Sequence, residues 1–313
     1  MFGNNINNSP LVSVIINCFN GEDYLTDAID SVIAQTYKNW EIIFWDNCST
    51  DGSAAIAIQY GEKIKYYRSD KNTSLGEARN KAIQVSNGVY IAFIDCDDIW
   101  SDHDKLKKQV DIMESNPNLS LTYGSIEEIL LDKSHFRNVI NKHETGNIFG
   151  VLLTQFDISI ITSLIRKSCL IESGLNFDPA VTASEEYCLF MQLASKYPIS
   201  VSKEIMAKYR VHSTSLTSSS LSRLGSERRY TLNLIINKNS KLSNQFRNEF
   251  REAFARADYY DARWEMDQRN KSTAFKLLIK NSFISYRYFL LALITLLPIF
   301  CWQRIHLLKR SRV

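Results

Sequence analysis

The sequence predicts an α/β fold: a mostly parallel sheet flanked by helices, with a helical C-terminal tail. Three observations predict it. Short apolar, β-branched runs alternate with helix-like stretches from residue 11 to residue 94. Each apolar run ends in a cluster of Asn, Asp, Ser or Gly. Beyond residue 217 the strand-like runs stop and only helical periodicity remains.

Taken in order, residues 1–10 (MFGNNINNSP) are Asn-rich and uncharged, and are expected to form a disordered lead. Leu11 to Asn17 (LVSVIIN) is apolar without alternation, the pattern of a strand buried on both faces. Asn20 and Gly21 mark a turn. From Glu22 to Gln35, the residues Tyr24, Leu25, Ala28, Ile29, Val32 and Ile33 share one helical face. Glu41 to Trp45 is a second buried strand, ending in the turn set Asp46 to Gly52. A helix is expected over 53–60, a strand over 63–68 and a helix over 74–86. In the last of these, Ser74 and Glu77 stand at capping-box spacing. Val89 to Ile94 is the fourth strand. This alternation predicts a parallel sheet with ligands at the carboxyl ends of its strands.

The pattern is mixed after Trp100. Helices are expected over 105–115 and 184–196, and strands over 119–123, 158–166 and 205–211. A Ser/Thr-rich loop (HSTSLTSSSLS) then leads to helices over 221–237, 244–267 and 273–282. The expected organisation is an enzyme-like α/β domain over 11–217 and a helical region over 218–313. Within that region, 284–313 is a membrane-associating segment.

The 313 residues carry a net charge of +3, so bulk electrostatics gives no argument for a nucleic-acid partner. Six cysteines form no C-x-x-C pair, which excludes a zinc knuckle or thioredoxin-like motif. With no signal-peptide pattern, a reducing, cytoplasmic setting is expected. Cys18, Cys48 and Cys96 fall beside strand ends, where small hydrophobic packing is the simplest role. From Phe289 to Trp302 (FLLALITLLPIFCW) no residue is charged, and Arg287, Arg304, Lys309, Arg310 and Arg312 flank the run. Fourteen residues are fewer than the roughly 20 a spanning helix needs. An interfacial helix on anionic lipid is expected. A true span and a buried helix broken near Pro298 are the alternatives.

The fourth strand reads VYIAFIDCDD, so Asp95, Asp97 and Asp98 crowd its end. Two unit charges about 4 Å apart repel by roughly 4 kcal/mol at an effective dielectric near 20. A hard divalent cation with oxygen ligands, Mg²⁺ or Mn²⁺, would offset that repulsion. A solvated turn with a helix cap is the bland alternative.

Several blocks, in order, resemble the family 2 glycosyltransferases, which have the GT-A (nucleotide-diphospho-sugar transferase) fold. They are VSVIINCFNGEDYL, SVIAQTYKNWEIIFWDNCSTDGS, GEARNKAI, YIAFIDCDDIW, ASEEYCLFMQLA and YRVHSTSLT. The resemblance runs from about Leu11 to Thr217 and implies an inverting, metal-dependent glycosyltransferase. By it, Asp95 and Asp97 fill the D-x-D positions. Asp97 is the direct metal ligand, and Asp95 either ligates or holds the ribose. Asp98 either ligates or caps the next segment. Asp46 binds the nucleobase or ribose, Asn20 lies where the first loop meets the nucleotide, and Arg79 approaches the diphosphate or forms an ordinary salt bridge. His212 contacts the diphosphate or metal, or is structural.

The same resemblance assigns the acceptor base to the acidic helix start. Glu186 stands at the base position, with Glu185 as the alternative, where relatives usually have Glu-Asp. Gln192 and Cys188 stand where many relatives have Arg and Asp. The implied partners are a nucleotide-diphosphate sugar donor and a glycan or lipid-linked glycan acceptor, at the cytoplasmic face of the cell membrane, in polysaccharide or O-antigen assembly. A sugar-nucleotide pyrophosphorylase would carry a Gly-rich loop where this chain has NCFNGEDYL. A non-catalytic sugar-nucleotide-binding or scaffold protein on the same fold is the alternative that the Glu at 186 leaves open.

Overall fold

A computed structural model of the chain describes residues 9–211 and 220–310, with side chains as far as Arg304. The chain divides into two compact units. The first holds the residues up to Ile148 with Asp157–Thr182 and Lys196–Val211. The second holds Phe149–Phe156, Ala183–Ser195 and the residues after Val211.

The first unit is built on one sheet. Its strands are β1 (Val12–Cys18), β2 (Trp40–Asp46), β3 (Ile64–Arg68), β4 (Tyr90–Asp95), β5 (Ile99–Trp100), β6 (Leu121–Ile129), β7 (His135–Val139), β8 (Leu164–Arg166) and β9 (Ile199–Arg210). The order is β3-β2-β1-β4-β8-β6-β9-β5, with β7 paired to β6. The helices of this unit are α1 (Leu25–Ile33), α2 (Ser53–Gln59), α3 (Leu75–Val85), α4 (Lys105–Ser115) and, later in the chain, α6 (Lys167–Ser173).

Strands β1 to β4 are parallel, as the alternation of runs requires. β1 is central and every residue in it is buried, so its apolar run has no polar face. Ser13 and Asn17 are its polar residues: the Ser13 hydroxyl donates to Glu41 at 2.5 Å, and Glu41 also pairs with Lys65. The Ser74 cap is formed, its hydroxyl accepting from the Glu77 N–H at 3.3 Å.

Beyond β4 the sheet is mixed. β8 runs antiparallel to β4 and β6, while β9 runs parallel to β6. The strand expected over 158–166 is a short 3-10 turn at Ile160–Thr162 followed by only three strand residues. Trp100, its indole N–H donating to the Ile161 carbonyl at 2.7 Å, holds that turn in the interior. β6 runs six residues further than expected and turns back into the exposed β7.

The second unit contains α5 (Phe149–Thr154), α7 (Glu185–Ala194), α8 (Leu221–Lys238), α9 (Ser240–Gln245), α10 (Arg247–Asp267), α11 (Lys271–Ile279), α12 (Tyr286–Thr295) and α13 (Ile299–Arg310). The single helix expected over 244–267 breaks at Phe246. That ring meets Phe149 edge-on at 5.4 Å, and Gly150 leaves room for it: a Cβ there would stand 2.8 Å from the ring.

The apolar run 289–302 is also divided, into the end of α12 and the start of α13 on either side of Pro298. Ala292, Thr295 and Trp302 are buried with Tyr288 against the helical core. Phe289, Leu290, Leu293, Leu296, Leu297 and Phe300 are exposed. No helix among the described residues is long and apolar enough to cross a membrane.

Candidate active site

The register of the parallel strands decides which polar residues meet. Asn17 stands opposite both Trp45 and Asp95, and Cys18 opposite Asp46. The carboxyl ends of β1, β2 and β4 therefore present Asn17, Asp46 and Asp95 along one edge. Parallel pairing puts all these ends on the same side, which is where such sheets bind ligands.

The loops beyond these ends are tied to one another. Asn20 adopts a left-handed backbone (φ 54°), and its Oδ1 accepts from the Thr50 N–H at 2.8 Å. Its own N–H donates to the Ser49 hydroxyl at 3.1 Å. Asp51 accepts from the N–H of Glu22, and Glu22 accepts from that of Gly52. Asn47 accepts from the Thr73 N–H and donates to the Thr73 carbonyl, fastening the loop before α3. Reciprocal backbone contacts of this kind fix loop shape without a ligand.

Asp46 is wholly buried. One carboxylate oxygen accepts from the Ser49 N–H at 2.7 Å, and the other from the Tyr66 hydroxyl and the Arg68 guanidinium. Arg68, a β3 end residue to which the sequence pattern assigned no role, thereby reaches the same edge.

Asp95 pairs with Arg79 at 2.9 Å, so the α3 arginine forms the salt bridge that was the second of its two expected roles. Arg79 is buried, its guanidinium 5.5 Å from the centre of the Phe177 ring. Loss of solvent raises the Asp95 carboxyl above its ordinary range; Arg79 opposes this and the charge of Asp97 adds to it. Asp97 is half-buried. Asp98 is 1% exposed, and its Oδ1 accepts from the Arg210 N–H at 2.8 Å. Burial first, then the charges of Asp97 and Asp95, push its carboxyl well above the usual range.

Arg210, at the end of β9, lies in one of the motif blocks, yet the sequence pattern assigned it no role. It is buried, donates to the Asp97 carbonyl and to Asp27 at 3.2 Å each, and stacks 4.4 Å from the centre of the Tyr24 ring. It holds the acidic turn from beneath. His212 lies outside the described residues.

The donor set fits a hard cation that is shared with a ligand. Asp97 and Asp95 lie two residues apart at the edge, and Asp95 is 30% exposed, so neither is sealed inside. Asp98 Oδ2 is buried with no hydrogen-bond partner among the described residues, an orphaned polar atom beside them. No group of three or more His, Cys, Asp or Glu side chains among the described residues forms a ready-made cage. Mg²⁺ and Mn²⁺ sites of this kind use one or two carboxylates and complete their shell with substrate phosphates and water.

Glu185 and Glu186 open α7 in the second unit. Acids are stabilised at a helix N-terminus by the backbone dipole. Glu185 is buried and Glu186 half-buried. Cys188 and Gln192 follow on the same helix, Gln192 accepting from Lys238 at 2.8 Å.

Residues 13–170 match the family model described as Glycosyl transferase family 2. TuaG of Bacillus subtilis, a putative teichuronic acid biosynthesis glycosyltransferase, is 32% identical over 67% of this chain and 82% of its own length. WfgD of Escherichia coli, a UDP-Glc:α-D-GlcNAc-diphosphoundecaprenol β-1,3-glucosyltransferase, is 30% identical over 68% of this chain and 82% of its own. Among solved structures, S. aureus TarS 1–349 in complex with UDP-GlcNAc superposes with a TM-score of 0.62 at 17% identity, covering 87% of this chain and 91% of that one. The chain spans 43% of the longer TarS chain. The TarS likeness carries the GT-A fold, and the family match over half the chain carries membership: this chain belongs to glycosyl transferase family 2.

Proposed function

We propose that the protein transfers a sugar, with inversion, from a nucleotide-diphosphate donor to a hydroxyl of a lipid-linked glycan acceptor during cell-surface polysaccharide synthesis. The observation that carries this reading is the single polar edge. Parallel register brings Asn17, Asp46 and Asp95 to one side of the sheet, with the loops of Asn20 and Asp97 beside them. A sugar nucleotide needs recognition of base, ribose and diphosphate within one short span, and this edge offers carboxylates and amides in that span, with Asp95 and Asp97 as the proposed holders of a divalent cation. The names of TuaG and WfgD support the polysaccharide and lipid-linked setting.

Each residue has a stated task. Asp46 orders the loop that meets the base, with Asn20 closing it from the β1 side. Asp95 binds the ribose or shares a Mg²⁺ or Mn²⁺ ion with Asp97, and Arg79 holds Asp95 in place. His212, outside the described residues, is proposed to contact the diphosphate or the ion. When bound, the ion offsets the charge that builds on the departing diphosphate. Glu186, with Glu185 as the alternative, takes the proton from the acceptor hydroxyl as it attacks the anomeric carbon in line. The exposed apolar residues of α12 and α13, with Arg287 and Arg304 beside them, rest on the anionic cytoplasmic face of the membrane, where the acceptor lies.

A donor panel tests the core of this reading. Nucleotide-diphosphate sugars, each with Mn²⁺, are scored by thermal shift; the expected result is stabilisation by one nucleotide class, dependent on the metal. Indifference to every sugar nucleotide, with and without Mn²⁺, would refute it.

A further inference from the structure

The helix that carries the two candidate bases begins in an unusual way. Ser184 occupies the N-cap position of α7 yet makes no side-chain cap bond. A serine there ordinarily turns its hydroxyl to the helix's own amides. Here the hydroxyl donates to Glu227 at 3.1 Å, and the preceding Ala183 N–H donates to the same carboxylate oxygen at 2.8 Å. Glu227 lies on α8 and is 7% exposed. One buried carboxylate thus holds the two residues immediately before Glu185 and Glu186.

The next residue of α8 grips the other side of the acids. The Arg228 guanidinium lies 4.2 Å from the ring centre of Tyr187, which follows Glu186, and 4.9 Å from that of Tyr260. Tyr187 is itself buried, edge-on to Phe156 at 5.0 Å. α8 is in turn fixed against α10. Gly225 has no room for a Cβ, which would meet the Ala257 carbonyl at 2.6 Å, and Arg229 pairs with Asp258 and Asp261. The two acids are bracketed by contacts from one rigidly seated helix.

We propose that Glu227 is a positioning residue for glycosyl transfer, setting the backbone of residues 183–184 and so the reach of the acceptor base. This rests on the reading that Glu186, or Glu185, is that base. A base works only within about 2.6–3.2 Å of its proton or through one water, so a small shift of its helix start removes its effect while leaving it present. A buried carboxylate suits the task because its charge-assisted bonds fix direction, where apolar packing does not. It also gives the helices beyond the family-matched span, 13–170, a part in the chemistry.

The test compares Glu227→Ala, Glu227→Gln and Ser184→Ala with the parent and with Glu186→Gln, in steady-state transfer and in donor titration by calorimetry. Gln keeps an oxygen that can accept from both donors; Ala does not. The expected result is a fall in kcat of about 10- to 100-fold for Glu227→Ala, with donor affinity unchanged, and recovery of most of that loss in Glu227→Gln. Ser184→Ala, the mildest change, should give a partial loss and serves if Glu227→Ala does not fold. In the Glu186→Gln background, Glu227→Ala should add little, because the group it positions is gone. Parent-like kcat in both Glu227→Ala and Ser184→Ala overturns the proposal, as does a full additive loss of Glu227→Ala on whichever of Glu186→Gln and Glu185→Gln removes the base. Normal transfer by Glu186→Gln and by Glu185→Gln alike instead overturns the assignment of the base, a result read independently of Glu227.

Discussion

In the α/β unit, Asp46, Asp98, Arg79, Lys105 and Arg210 are each no more than 1% exposed. In the helical unit, Phe283, Tyr286, Leu296 and Phe300 are each more than 60% exposed. The first region withdraws charge from water, and the second offers hydrocarbon to it. Both arrangements cost stability in an isolated protein. Buried charges persist where they are paired and where their direction matters, as for Arg79 on Asp95 and Arg210 beneath Asp97 and Asp98. Exposed apolar faces persist where something else covers them. The contrast teaches that the two units expose different chemistry, a polar carboxylate-lined edge in one and an uncovered apolar face in the other, which is why the proposed function gives them different ligands.

The largest expected effect breaks the first half of this contrast. Asp97→Ala should lower transfer by about 10³-fold or more, read as nucleotide diphosphate release, because it removes electrostatic stabilisation at the leaving group. Circular dichroism should stay parental, since Asp97 is only half-buried. Turnover at the parental rate would mean the acidic turn is not part of the donor site.

Glu186→Gln comes next. It should lower transfer by about 10²–10⁴-fold while sparing donor affinity, the range attributed to general-base catalysis. Unchanged transfer would move the role to Glu185.

The second half of the contrast is tested on the exposed face. Leu296→Ser combined with Phe300→Ser should weaken partitioning to anionic vesicles about tenfold or more, since each fully buried side chain of this size contributes roughly 1.5–3 kcal/mol. Transfer to a water-soluble acceptor should be unaffected. Equal partitioning of parent and variant would remove the lipid reading of this face.

The smallest effect concerns a buried charge that lies away from the acidic turn. Lys105 donates to Gln109 at 2.8 Å and sits 4.0 Å from the centre of the Trp100 ring. Burial lowers its pKa from 10.5 to about 7. Between those values the unfolded chain binds more protons than the folded one, so this group makes stability rise with pH across that window. In Lys105→Met that contribution should vanish, and melting temperatures measured from pH 7 to 10.5 should rise less steeply than in the parent. Identical slopes would show that Lys105 keeps its charge through burial.

Much of the first unit was legible in the chain. Fully buried parallel strands leave uninterrupted apolar runs, and β1 to β4 lie within a residue or two of their expected bounds. The Ser74 cap was legible because its partner is three residues away. The break at Phe246 was not, because helical periodicity continues through it and the ring's partners, Phe149 and Gly150, lie far away in the chain. The hairpin of β7 was hidden for the opposite reason: its residues are mostly exposed and polar and leave no apolar signature. The contacts of Arg210 with Asp98 and of Glu227 with Ala183 were invisible because the partners lie 112 and 44 positions apart.

By itself the sequence determined the alternation of strands and helices, the acidic close of the fourth strand and the order of motif blocks, all of which depend on near neighbours along the chain. Tertiary structure alone decided which charges are paired, that Ser184 turns to Glu227 instead of capping its own helix, and which face of the 289–302 run stays uncovered. The physical reason is range. Backbone propensity and periodicity act over a few residues, whereas burial and pairing are set by whatever distant segment the fold brings alongside.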